Sequence, residues 1–230
     1  MYSKDVLKKY HNGMESAIAF YARFPVESLQ ICISLGNMKI GNVPNVSLPA
    51  DFTCPHCEHC TKACYDKKAC IQYKNVMNAR ARNYSILTRN YELYWYQLRA
   101  WLKKYTGKFF RFHVSGDITT TRYLDDMVKT ARMFPNIRFW TYTKALEILN
   151  EYTKEHGGSR RKACPENLTI QVSRWADFPV ENPYGYSEYI CIPTGAEPPK
   201  GVMKCPGNCK ICCDNKIGCP YGQSAWIYEH

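Results

Sequence analysis

Thirteen cysteines, nine of them crowded into two short runs, constrain this chain more than any other feature. An odd total cannot pair off fully as disulfides. The stretch Met1 to Tyr10 is basic and runs into His11, Asn12 and Gly13 rather than into an apolar segment, so no export signal of the usual form is expected. In a reducing compartment, thiols this dense point to metal. Cys32, Cys164 and Cys191 stand apart from the runs and suit free thiols acting as small core residues. The expectation is a cytoplasmic protein, and no apolar run approaches the ~18 residues a membrane helix needs.

The first run, Cys54-Pro-His-Cys57-Glu-His-Cys60-Thr-Lys-Ala-Cys64, has the C-x2-C-x2-C-x3-C spacing of ferredoxin-type ligation, with Tyr65 where a proline usually follows. Such short steps let thiolates converge on a compact cluster. A single zinc ion more often takes two cysteine pairs set a dozen or more residues apart. The second run contains Cys205, Cys209, Cys212 and Cys213, with Cys219 following. Of the vicinal pair, one cysteine is expected to stay out of the metal site. Gly207, Gly218 and Gly222 supply backbone freedom there, and zinc competes better at this run than at the first. The expected metal ligands are therefore Cys54, Cys57, Cys60, Cys64, Cys205, Cys209, Cys212 and Cys219, holding one or two four-iron clusters. His56 and His59 read as solvated or supporting groups.

Between the runs, apolar periodicity alternates between strand and helix. Leu29 to Leu35 reads as a buried strand, and a loop broken by Gly36, Gly41, Pro44 and Pro49 delivers the first cysteines. Tyr84, Leu87, Tyr91, Tyr94, Leu98, Trp101 and Tyr105 recur at steps of three and four, predicting one long helix with a core-facing stripe. Strands are expected near 109–115, 137–143, 168–173 and 189–193, with a helix capped by Thr120 or Thr121 and another through Leu146 and Tyr152. Single helices between strands imply parallel pairing. The expected fold is α/β, a partial parallel (β/α) barrel or an open parallel sheet. A cysteine-rich loop should follow the first strand, and a cysteine-rich cap should close the C-terminus. The core would span 1–194 with an insertion at 51–70, and the cap 195–230.

Ser34-Leu-Gly-Asn-Met-Lys, Cys60-x3-Cys64-Tyr65, Phe112-His-Val-Ser-Gly-Asp117 and Phe139-Trp-Thr-Tyr-Thr-Lys144 together resemble the gene-product-88 family of phage and prophage proteins. The resemblance covers most of the chain and implies the cytoplasm of a host cell. A wider resemblance, at the level of the fold, is to radical SAM enzymes. It implies an S-adenosylmethionine site at Ser115, Gly116 and Asp117 after one strand and at Ser173 and Arg174 after another. The chain departs from that pattern in two places: C-x3-C-x2-C occurs only at Cys205, Cys209 and Cys212, and Asp117 stands where glutamate is usual.

Three functions follow. One is a radical SAM-like enzyme with an open iron site. Another is a redox or structural iron–sulfur protein with full ligation and a redox partner. The third is a zinc-stabilised nucleic-acid binder using Arg80, Arg82, Arg89, Arg160, Arg161 and Lys162, which the formal net charge of +11 invites. A solvated face explains those cations as well, and is preferred. His113 reads as a hydrogen-bonded core histidine. Lys144 is placed on the same sheet edge as Asp117, and the two cysteine runs are expected to meet on one face there.

Overall fold

Over the middle of the molecule, the order of strands in the sheet repeats their order in the chain. In the computed structural model, which describes residues 2–38, 40–55, 58, 60–176 and 178–229, eight strands form one open sheet. β1 (Ile33–Ser34) pairs antiparallel with β2 (Asn45–Val46) at one edge. β3 (Phe109–Phe112), β4 (Arg138–Thr143), β5 (Leu168–Trp175) and β6 (Ser187–Ile192) then follow β2, all parallel. At the far edge the order reverses: β8 (Ala225–Tyr228) lies between β6 and β7 (Met203–Lys204).

That reversal decides where the cysteines go. Right-handed crossovers that step repeatedly in one direction place their helices on one face. α5 (Thr121–Met133), α6 (Leu146–Glu155) and α7 (Arg160–Ala163) follow this rule, joining β3 to β4 and β4 to β5. They pack over Phe110, Phe112, Phe139, Ile170 and Val172 together with α1 (Lys4–Ala22), α3 (Lys74–Arg89) and α4 (Tyr91–Lys104). From β7 the chain steps inward to β8, so the same handedness puts α8 (Cys209–Asn215) on the opposite face. There Cys213 and Cys219 pack with Val43, Trp140 and Ala225. The tail thus contributes two strands to the sheet and covers the face that a closed barrel would have enclosed.

Local sequence accounts for most boundaries. Thr120 caps α5, its hydroxyl accepting from the Tyr123 amide, and Leu124, Met127, Val128 and Ala131 are fully buried along one side. Ser3 caps α1, which buries Tyr10, Met14 and Tyr21. The long stripe from Tyr84 to Tyr105 divides into two helices. Asn90 leaves the helical conformation at φ −150°, ψ 85°, and its side chain accepts from the Leu93 amide to start α4. Periodicity runs through such a joint because a capped restart keeps the same face inward. β2, β7 and β8 escaped the sequence reading because two to four residues are too few to show alternation.

Three of the cations of α3 make contacts within the protein, although Arg89 is also exposed. Arg82 donates to the Tyr21 hydroxyl, Arg89 donates to the Tyr21 and Phe24 carbonyls, and Arg80 is buried against Asp66. They fasten α3 to α1 and to α2 (Tyr65–Gln72). Arg161 and Lys162 are exposed. Among the described residues, no helix is long and apolar enough to cross a membrane.

Candidate functional site

The carboxyl ends of β2, β3 and β4 carry the first cysteine run and the Ser-Gly-Asp turn. β3 ends at Phe112, and His113 takes a left-handed conformation, φ 56°, that swings its ring into the helix-packed side. There its Nε2 meets the Tyr123 hydroxyl at 2.9 Å and its Nδ1 the Thr141 hydroxyl at 3.4 Å. Burial first, and the nearby Arg111 charge second, lower its pKa to about 3, so it is neutral. The core assignment for His113 holds. Gly116, at φ 84°, passes so close that a Cβ would lie 2.7 Å from the Leu48 Cβ.

The turn's polar groups are engaged within the protein. Ser115 Oγ donates to Asp66 at 2.5 Å. Asp117 accepts from the Ile118 amide at 2.7 Å, the Thr143 hydroxyl at 2.6 Å and the Lys144 amide at 2.8 Å, stitching the ends of β3 and β4 together. Burial raises its pKa against those bonds. Lys144 hydrogen-bonds Asp117 through its backbone amide, and its charge also favours the Asp117 carboxylate; its Nζ lies 3.6 Å from Cys60 Sγ and above the Trp175 ring. Arg174 makes a two-pronged pair with Glu188, both contacts at 2.8 Å. Ser173 is half-buried beside it on β5, opposite Tyr189 of β6.

Of the first run, Cys54, Cys60 and Cys64 are described, and Cys57 lies outside the described residues, as do His56 and His59. The run follows β2, one strand later than the sequence suggests. Cys64 precedes α2, whose Asp66 and Lys67 amides point at its sulfur, while burial pushes its thiol up to about 12. Beneath it lies a compensated polar layer. Asp66 takes Arg80 at 3.2 Å, Ser115, and the Cys70 thiol at 3.5 Å; Lys67 pairs with Asp51.

The second run is arranged differently. Cys205, Cys209, Cys212 and Cys219 all lie within electrostatic reach of one another, in every pairing. Burial and this mutual crowding push Cys212 up to about 11 and Cys219 up to about 12, and raise Cys209. Cys213 is buried with Val43, Trp140 and Ala225 in an apolar layer that Cys219 shares, and it too lies within reach of Cys209 and Cys212. Gly218, at φ 68°, gives Cys212 room; a Cβ there would meet its sulfur at 3.0 Å.

Three side chains from the sheet face this quartet. Arg111 of β3 donates from Nη1 to Cys209 Sγ at 3.7 Å and lies over the Tyr142 ring. Tyr142 of β4 lies near Cys219, and Tyr189 of β6 lies near Cys205. Burial acts to lower the Arg111 pKa, but Tyr142, Cys209, Tyr65 and Cys219 raise it further, so it stays charged. Among the described residues, Arg111 pairs with no carboxylate, and its enclosed Nε has no partner. These three residues were missed from sequence, although each lies in a strand the sequence marks. The signal was a polar side chain alternating with apolar ones, as in Phe-Arg-Phe and Trp-Thr-Tyr.

Cys60 stands by Lys144 at the carboxyl end of β4, two residues along the strand from Tyr142, which lies near Cys219, while Cys54 and Cys64 pack against the helix-covered core. Among the described residues, no three histidine, cysteine or carboxylate groups converge on a point as a bound metal ion would require. Two clefts, of about 550 and 610 Å³, open on the molecule, lined by Arg174, Trp175 and Cys191 and by Tyr65, Asp66 and Arg80; neither is lined by a quartet cysteine.

A family model described as gene product 88 matches residues 27–178. The chain belongs to this family. The matched span holds the first cysteine run and all four stretches that carry the resemblance, and it ends before the quartet. The Gene 88 protein of Mycobacterium phage L5 is 27% identical over 190 residues, covering 76% of this chain and 78% of its own. The Gene 88 protein of Mycobacterium phage D29 is 28% identical over 121 residues, and the match spans 47% of this chain and half the length of that protein. No solved structure matches. The radical SAM resemblance finds no support in these comparisons.

Proposed function

We propose that this member of the gene product 88 family is an iron–sulfur protein. Cys205, Cys209, Cys212 and Cys219 would hold a four-iron cluster at all four corners, for electron transfer or for folding. The observation that carries this reading is Arg111. A guanidinium largely withdrawn from water, without a carboxylate, costs several kcal/mol unless an anion faces it. Neutral thiols do not supply that anion, whereas four metal-bound thiolates around a cluster carry about two negative charges.

Ligation by all four cysteines would favour a redox or structural role over substrate chemistry. S-adenosylmethionine is not part of the reading, because Ser115, Asp117 and Arg174 are taken up by Asp66, the β4 end and Glu188. The first run, with Cys60 and Cys64 near each other, is a candidate for a second cluster. Protein purified without oxygen should be brown and contain iron and acid-labile sulfide in nearly equal amounts. Stoichiometric zinc without sulfide would overturn the proposal.

A further inference from the structure

We propose that the cleft bounded by β1, α2 and α3 is a binding site for a neutral, largely apolar small molecule that presents a carbonyl oxygen to Arg80. The site is separate from the cysteine quartet and does not depend on whether this chain carries iron. The cleft has a volume of about 610 Å³, within the roughly 300–1,000 Å³ usual for small-molecule sites. Its walls follow from local regularities. Ile31 and Ile33 are two apart in the extended segment that enters β1, and so share a face. Val76, Ala79 and Arg80 stand at steps of three and four on α3, which puts them on one side of that helix. The strand wall is pinned. Asn83 accepts from the Cys32 amide at 2.7 Å and donates to its carbonyl at 2.9 Å, and Gln97 accepts from the Ile31 amide at 2.6 Å. A wall fixed in this way is formed before any ligand arrives, which lowers the cost of binding.

One charged group stands among these apolar walls without its full set of partners. The Arg80 side chain is nine-tenths buried, and its Nη2 donates to Asp66 Oδ1 at 3.2 Å. A guanidinium carries five N–H donors. Among the described residues this is the one hydrogen bond that the Arg80 guanidinium makes, and its enclosed Nε has no partner. A buried donor without an acceptor is costly, so an oxygen brought against Arg80 binds with that cost relieved. The charge balance selects which oxygen. Asp66 already offsets Arg80, and it also accepts the Ser115 hydroxyl at 2.5 Å and the Cys70 thiol at 3.5 Å. A second carboxylate at Arg80 would stand beside Asp66 and be repelled by it. A carbonyl oxygen meets the guanidinium without that repulsion. Tyr65 adds an aromatic surface for the ligand's apolar body: it lines the cleft, is 45% exposed, and is anchored by its hydroxyl, which donates to the Val114 carbonyl.

The test uses the full chain and two probes that share one ring system, neutral 1-naphthamide and anionic 1-naphthoate, titrated and read by saturation-transfer NMR. The amide binds, with a Kd about tenfold or more below that of the carboxylate. Ala79→Phe on α3 and Ala69→Leu on α2 each fill the cleft, and each abolishes binding of the amide while the circular dichroism of the chain is retained. Arg80→Lys keeps a cation for Asp66 but loses the planar fork, and weakens the amide several-fold. Absence of amide binding to the parent overturns the inference. So does a carboxylate that binds as tightly as the amide, and so does amide binding that survives a folded cleft-filling variant. Should Arg80→Lys fail to fold, the matched probes and the two cleft-filling variants, one on each helix, decide the matter. The iron content of the parent is measured on the same sample and bears only on the iron–sulfur reading, so failure of one does not carry the other.

Discussion

The two cysteine groups of this molecule differ in how their surroundings are neutralised. At the carboxyl edge, every buried charge near Cys64 has an opposite charge beside it: Asp66 with Arg80, Lys67 with Asp51. Under the sheet, the quartet faces one arginine and two phenols, with no carboxylate partner for Arg111 among the described residues. A compensated layer holds its shape by itself. A cation without its counterion needs something anionic bound there, and this is why the quartet is the stronger candidate for a resident metal group.

Breaking the quartet should have the largest effect. Cys209→Ser is expected to remove essentially all iron bound at residues 205–219, measured as iron and sulfide per chain, whereas Cys213→Ser should leave that content unchanged. Equal losses from both would erase the distinction between the quartet and its apolar neighbour. The edge group should respond in stability instead. Asp66→Asn leaves Arg80 buried without its charge partner and is expected to cost about 3–5 kcal/mol in urea unfolding, with the iron content of the folded protein retained. Loss of iron in proportion to that destabilisation would tie the two regions together.

Acid separates them in another way. His113 has a folded-state pKa of about 3 against about 6.5 unfolded, so the unfolded chain binds more protons between these values. Stability from this group is complete above pH 6.5 and falls as the pH drops, by about 2 kcal/mol at pH 5. His113→Asn, which tolerates the positive φ, should flatten this dependence in denaturant titrations at several pH values. A slope unchanged by the substitution would place the acid-sensitive group elsewhere. The smallest effect is expected from Lys144→Met at the edge. Removing its contact with Cys60 should change stability by less than about 1 kcal/mol and leave the quartet's absorbance as it was. A changed visible spectrum would show that metal at the first run contributes to it.

Much of the architecture is legible in the residues. Thr120 as a cap, the buried face of α5, and the strands at 109–112, 138–143, 168–175 and 187–192 follow from capping chemistry and apolar spacing, which are local properties. His113 reads correctly as core because a histidine between Phe112 and Val114 has little choice of surroundings. The site was harder. Cys205, Cys209, Cys212 and Cys219 are recognisable as a set from spacing, yet what faces them is not. Arg111, Tyr142 and Tyr189 are separated by tens of residues and meet only across the sheet. The turn at Ser115-Gly116-Asp117 shows the converse. Its sequence suggests a ligand site, but three donors from Ile118, Thr143 and Lys144 already occupy the Asp117 carboxylate.

By itself, the sequence determined the composition of the two cysteine groups, the parallel α/β character and the family stretches, because each is written in neighbouring residues. Only the tertiary structure decided where each group sits along the sheet. One reversal of strand order, β8 inserted between β6 and β7, turns the last crossover onto the opposite face. The handedness of that connection then sets the quartet against Tyr142 of β4, two residues short of Lys144, which meets Cys60 at the carboxyl end of the same strand.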